Sequence, residues 1–210
     1  RPQLGLFEVA GTRENNVVLP PGEPNFATHN LSVFHDNRPG VPAEERYKAV
    51  GGGMGSSKAH RAAGTIRALY RYVSADGKQW KLYSPEPLFR DYALDSQNVI
   101  VWLPAEQCFA IYLRVWSRDV PGQPIRYHHI PDNIRLIARS TAKEFGGPWS
   151  TPVTMSTGDA PIEDLYTNAT QPYFRAPHLL IAMPFRFVPG RVVLTGEQFR
   201  EFGMHPGQSG

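Results

Sequence analysis

Apolar positions along the chain come in short β-branched and aromatic runs, such as Leu31-Ser32-Val33-Phe34, Ala68 to Val73 and Cys108 to Trp116, separated by Gly, Pro, Asn and Asp turns. Runs of this length bounded by turn residues predict strands. No stretch of 11 or more residues carries an apolar stripe at the helical period, so the expected fold class is all-β.

The pattern also repeats. Thr28 to Phe34, Ser96 to Trp102 and Ala169 to Phe174 each lead a polar pair into a strand, and Asn30, Asn98 and Gln171 stand 68 and 73 positions apart. A second strand follows each, at Arg46 to Val50, Cys108 to Trp116 and His178 to Phe187. A third is predicted in the first two copies, at Ala68 to Ser74 and Arg135 to Ser140, and both times it runs into a turn and a tryptophan. The tryptophans, Trp80 and Trp149, are 69 positions apart. Asp76-Gly77 in the first of these turns permits a positive φ, and a large aromatic after the turn can fill the space between stacked sheets.

Four antiparallel strands per unit at this period describe the blades of a β-propeller, with about three blades present. The expected division is 1–20 as the end of a preceding blade, 26–90 and 94–156 as blades, and 165–210 as the start of a further one. Leu4 to Leu19 are expected as outer strands and Thr195 to Gly210 as a loop. The insertions opening at Gly51 to Ser57 and spanning Ser117 to Asn133 occupy equivalent places and so one face of the disc, as a binding surface or as bland surface loops.

Composition narrows the function classes. The 39 glycines and prolines among 210 residues make the chain turn-rich without low complexity. No run of about 18 apolar residues and no leader pattern is present, so no membrane span or signal peptide is expected. Net charge is +3, but the 17 arginines and 5 lysines are scattered among acids, which argues against a nucleic-acid partner. The single Cys108 sits in an apolar run and is expected as a buried thiol.

Several segments together resemble a known family: Pro42 to Val50, Val73 to Gly77, Leu94 to Val99, Leu165 to Arg175 and Met183 to Arg191 are similar to five-bladed propeller proteins related to glycoside hydrolase families 32 and 43, in particular a bacterial family-32-like group. The resemblance covers most of residues 1–195. Five blades at this period need more than about 300 residues, so the chain is expected to be a fragment lacking about two blades. By the same resemblance a periplasmic or extracellular location is implied.

In such propellers substrate sits at the axis, where the innermost strands begin. That implies a funnel of His29 and Asn30, Asp95 with Gln97 and Asn98, and Asn168 with Gln171, a mix of amide donors and acceptors suited to sugar hydroxyls. The same residues can equally be strand-end caps. Arg114, Arg175 and Arg186 lie on or beside inner strands, where a guanidinium can fork onto a substrate carboxylate or form an ion pair between blades. Glycoside hydrolysis needs two carboxyl groups. Asp95 is the one on the implied funnel, as a catalytic carboxylate that stabilises the transition state, with Asp36 a weaker second. No Trp-Met-Asn-Asp-Pro-Asn or Glu-Cys motif is present and Arg90-Asp91-Tyr92 matches Arg-Asp-Pro only in part, so the acid and the nucleophile or base are expected in the missing blades.

The expected function is a glycoside hydrolase-like protein cleaving an oligo- or polysaccharide by metal-independent acid/base chemistry; the alternatives are a noncatalytic carbohydrate-binding propeller and a protein-interaction propeller. No cofactor and no metal are expected: His128-His129 has no ligand spacing with His35 or His60, and Gly51 to Gly55 is not followed by Lys-Ser/Thr. Ser74 to Trp80 resembles the Asp-box of sialidases, a structural turn. The glycosylation patterns at Asn30-Leu31-Ser32 and Asn168-Ala169-Thr170 fall where the funnel is expected and are read as chance.

Overall fold

The computed structural model describes residues 4–20, 29–52, 68–90, 92, 94, 96–118, 133–188 and 190–203. The architecture is nearly all β, in three antiparallel sheets. The first joins β1 (His29–His35), β2 (Tyr47–Gly52), β3 (Leu69–Ser74) and β4 (Lys81–Leu82) in sequence order. The second repeats the order with β5 (Val99–Leu103), β6 (Cys108–Trp116), β7 (Arg135–Ala142) and β8 (Val153–Thr154). The third pairs β9 (Gln171–Tyr173) with β10 (Ala176–Ile181). A short helix α1 (Gly196–Glu201) follows, and among the described residues no helix is long and apolar enough to cross a membrane. Cys108 is buried.

Strand β6 shows why these residues stack sheets. Side chains alternate across a strand, and here both sets are apolar. Phe109, Ile111, Leu113 and Val115 enter a core shared with Val50, Leu69 and Val73 of the first sheet, while Cys108, Ala110 and Tyr112 enter a second core that Leu165 covers. The first sheet does the same: Ala49, Tyr70 and Tyr72 turn away from the shared core and pack with Trp80, Val18 and Leu19. The first two sheets therefore stack face to face, and each has apolar residues packed on both faces.

Both predicted turns follow the third strands. After β3 the Asp76 carboxylate accepts from the amides of Lys78 and Gln79, which hold its pKa below the ordinary carboxylate value, and Trp80 Nε1 donates to the Gly77 carbonyl. Trp149 instead packs into the core between the first two sheets, near Phe89 and Phe109.

That core also contains charge. The Asp36 carboxylate, fully enclosed, takes a two-point contact from Arg38 (2.8 and 2.9 Å) and an ion pair from Lys48 (2.9 Å). Arg38 lies over the rings of Trp102 and Phe109, so the pair spans the two sheets. Burial alone would raise the Asp36 pKa, but the hydrogen bonds from Arg38 and Lys48 outweigh it and hold it below the ordinary value. Asp36 is thus committed to the sheet interface.

Three segments differ from expectation. Leu4 to Leu19 hold no strand: a Val9–Thr12 bridge closes a turn through left-handed Ala10 and Gly11, and the Asn15 side chain bonds Phe7 and Thr12 carbonyls. Polar side chains that bond nearby backbone displace a ladder in this way. β10 starts at Ala176 rather than His178, and its ladder with β9 stops at Ile181. After a shift of register the same antiparallel pairing runs on, residues 183–187 lying along 168–164 through backbone bonds and a Leu165–Arg186 bridge, so the extended segment does reach Phe187. In the tail, Thr195 and Gln198 form a reciprocal capping box and Phe199 is buried, which makes α1 where a loop is expected.

Gly52, at the end of β2, meets the segment leading into β5. A Cβ there would lie 1.9 Å from the Leu94 carbonyl oxygen. Gly52→Ala is expected to cost about 1–3 kcal/mol in urea unfolding, through forced separation of backbone. Asp36→Asn is expected to cost about 3 kcal/mol at neutral pH, because two buried cations lose their charge partner. The folded-state pKa of Asp36 is lowered, so its contribution is complete above the unfolded pKa of about 3.9 and is lost as pH falls below it. The difference between wild type and variant should therefore shrink in acid.

Candidate functional site

The first strands of the three sheets are neighbours: β1 lies beside β5, and β5 beside β9. Their entrances converge on a cleft of about 500 Å³. β1 contributes Asn30, Leu31 and Ser32, the approach to β5 contributes Ser96 and Gln97, and the approach to β9 contributes Tyr166, Thr167 and Ala169. Met183 and Phe185, on the segment folded back beyond β10, complete the lining.

Hydrogen bonds between backbone and side chains hold these entrances together. Ser96 Oγ donates to the Tyr166 carbonyl (2.8 Å), and the Ala169 N–H donates to Gln97 Oε1 (3.1 Å). Asn168 Nδ2 reaches the carbonyls of Gln97 and Tyr112 at 3.4 and 3.3 Å, while its Oδ1 accepts from Thr170 N and Oγ1. Asn98 Nδ2 bonds the Leu94 and Ser96 carbonyls and so ties the approach to β5 into a turn. Asn30 and Ala169, both in the lining, have φ of 51° and 46°. Left-handed backbone is tolerated by Asn and costs alanine about 1–2 kcal/mol, and at Ala169 the bonds from Gln97 and Asn168 surround the strained residue.

The sequence candidates separate on this geometry. Asn30 and Gln97 line the cleft. Asn98 and Asn168 are each 1% exposed and serve as buried braces, as the strand-cap reading has it. Gln171 is exposed and pairs with Ile181, outside the lining. His29 pairs through its backbone with Gly52 at the start of β1. Asp95 lies outside the described residues, immediately before Ser96 in the chain, as do residues 53–60 and 119–132 of the two insertions.

The arginines are elsewhere. Arg114 is 5% exposed, its guanidinium 5.7 Å from the Trp116 ring centre and 5.6 Å from that of Tyr166. Arg135 joins the same stack, 4.5 Å from Trp116 and 4.1 Å from Phe187, with Asp164 at 3.1 Å. Arg186 pairs with Glu163 at 2.7 Å, and Arg175 lies over the Phe174 ring.

No family model, curated protein or solved structure matches this chain. The site is therefore argued from its own geometry. Eight lining residues stand outside the sequence candidates, and of these Leu31, Ser32, Tyr166, Met183 and Phe185 carry the chemistry of the cleft. Met183 and Phe185 fall within the strand expected from His178 to Phe187, but nothing in the spacing places them opposite Asn168 and Tyr166. Among the described residues no three His, Cys, Asp or Glu side chains cluster as metal ligands would.

The braces and the lining should respond differently to substitution. Asn168→Ala leaves buried carbonyl and hydroxyl partners unmatched and is expected to lower unfolding free energy by about 2 kcal/mol. Asn30→Gly keeps the left-handed backbone and is expected to change it by less than about 0.5 kcal/mol. Urea denaturation of both variants checks the distinction.

Proposed function

We propose that the three sheets are successive blades of a β-propeller and that the chain belongs to a glycoside hydrolase-like protein, with its oligo- or polysaccharide held at the cleft where the inner strands begin. The observation that carries this reading is the convergence of three separate strand entrances on one cleft rimmed by amide and hydroxyl groups from Asn30, Ser32, Gln97 and Thr167. Sugar hydroxyls both donate and accept, and such groups answer both needs. With Gln97 Oε1 taken by Ala169, its NH₂ is the group it offers a ligand. Strained backbone at Ala169 fits a site in which geometry has been held for a purpose. The order of strands within the sheets, with the three first strands adjacent and the first two sheets sharing a core, fits the propeller reading.

Hydrolysis requires one carboxyl group to protonate the leaving oxygen and a second to attack or to activate water. Asp95, directly before Ser96, is assigned as the carboxylate that stabilises the oxocarbenium-like transition state, acting without a metal. The described lining carries no carboxyl group, and this specific observation favours a second reading, a carbohydrate-binding propeller that does not cleave.

Turnover and binding of oligosaccharides by the protein and by Asp95→Asn separate the two. Hydrolysis that falls by about 100-fold in the variant, the scale of lost transition-state electrostatics, supports the hydrolase. Binding without product formation supports the binding module. Neither binding nor cleavage of any sugar overturns both.

A further inference from the structure

We infer that the cleft takes a neutral sugar rather than a uronic acid, and that Tyr166 and Phe185 form the platform on which its ring stacks. This rests on the saccharide reading above and specifies its substrate class. Neither residue has so far been given a role in binding.

Tyr166 is held from several sides yet remains 41% exposed. Its carbonyl accepts from Ser96 Oγ and its N–H donates to the Phe185 carbonyl, both at 2.8 Å. Its ring has the guanidiniums of Arg114 and Arg135 at 5.6 and 5.8 Å and the Phe187 ring at 6.1 Å. A ring so placed loses little freedom when a ligand covers it. Phe185 is 72% exposed and Met183 69%. Two positions apart on an extended segment, they share a face, and the Met183 N–H bond to the Asn168 carbonyl fixes that segment against the cleft. A sugar ring has an apolar face of C–H groups and a rim of hydroxyls. The cleft matches this with Tyr166, Met183 and Phe185 as apolar surface and Asn30, Ser32 and Gln97 as polar groups.

Charge sets the preference. Every described lining residue is uncharged. The arginines that would recognise a carboxylate are engaged away from the cleft surface: Arg114 beneath Tyr166, Arg186 with Glu163, Arg175 over Phe174. A uronate entering the cleft would lose water without gaining a cationic partner among the described lining residues. A neutral ring avoids that cost.

The test is calorimetric titration of the full chain with matched hexasaccharides that differ at C6: cellohexaose and its glucuronate counterpart, mannohexaose and hexamannuronate, galactohexaose and hexagalacturonate. The expected result is that the neutral member of at least one pair binds at least tenfold more tightly, with little change on adding about 0.5 M sodium chloride. Phe185→Ala and Tyr166→Ala should each weaken it about tenfold, while Tyr166→Phe, which keeps the ring, should hold it within about threefold. Since Phe185 is mostly exposed, its variant reads the platform even if Tyr166→Ala fails to fold. Tighter, salt-sensitive binding of the uronate overturns the inference and leaves the saccharide reading standing. Neutral binding unchanged in Phe185→Ala and Tyr166→Phe but lost only with folding in Tyr166→Ala overturns the platform. No binding of any probe overturns the inference together with the reading beneath it.

Discussion

A strand buried on both faces has nowhere to put a polar side chain cheaply, and β6 is such a strand along its whole length, its one charged residue, Arg114, lying between aromatic rings. Its two otherwise apolar faces require a sheet on one side and further chain on the other, and the stacking of the first two sheets follows from that. The first sheet covers one face; Leu165 and the segment around it cover the other. Because β6 pairs with both β5 and β7, its burial also fixes where β5 begins, and so where Ser96 and Gln97 stand. The cleft depends on the packing of a strand that does not supply a residue to it.

The polar groups then follow a division of labour set by burial. Where desolvation is deep, amides and charges are used internally: Asn98 ties its own turn through Nδ2, Asn168 ties the second sheet to the third, and Asp36 is enclosed by Arg38 and Lys48 between the first two. Such groups hold geometry because leaving any of them unmatched would be costly. Groups at the cleft surface escape that demand. Asn30 and Gln97 keep hydrogen-bonding capacity facing a space wide enough for a ligand, and Tyr166 keeps an open ring over a stack of guanidiniums.

The sheets were legible because short apolar runs bounded by turn residues, and their recurrence, are properties of consecutive residues. Val99 to Leu103 and Cys108 to Trp116 read directly as strands, and the recurrence of Asn30, Asn98 and Gln171 pointed to equivalent strand starts. The end of β10 and the segment Leu4 to Leu19 were less legible, since in both places a proline or an Asn side chain competes with the ladder. The helix α1 was written in the Thr195-to-Gln198 spacing, too short a signal to register against period. At the cleft, spacing along the chain located Asn30 and Gln97 but did not distinguish them from Asn98 and Asn168, because exposure is decided by partners as far away as Tyr112. Nor did it reveal Tyr166 and Phe185, which are brought together by backbone pairing beyond the ladder of β9 and β10.

The contact between Gly52 and Leu94 makes the glycine a spacer for the cleft wall. Backbone in such close approach resists compression, while Leu94, packed in one core with Val50 and Leu69, resists separation from the first sheet. On the opposite side, the bonds from Ser96 to Tyr166 and from Ala169 to Gln97 tie the same turn to the third sheet. The turn carrying Ser96 and Gln97 is therefore located from both sides, and the width of the cleft is set by how closely two stretches of backbone can pass where no side chain intervenes.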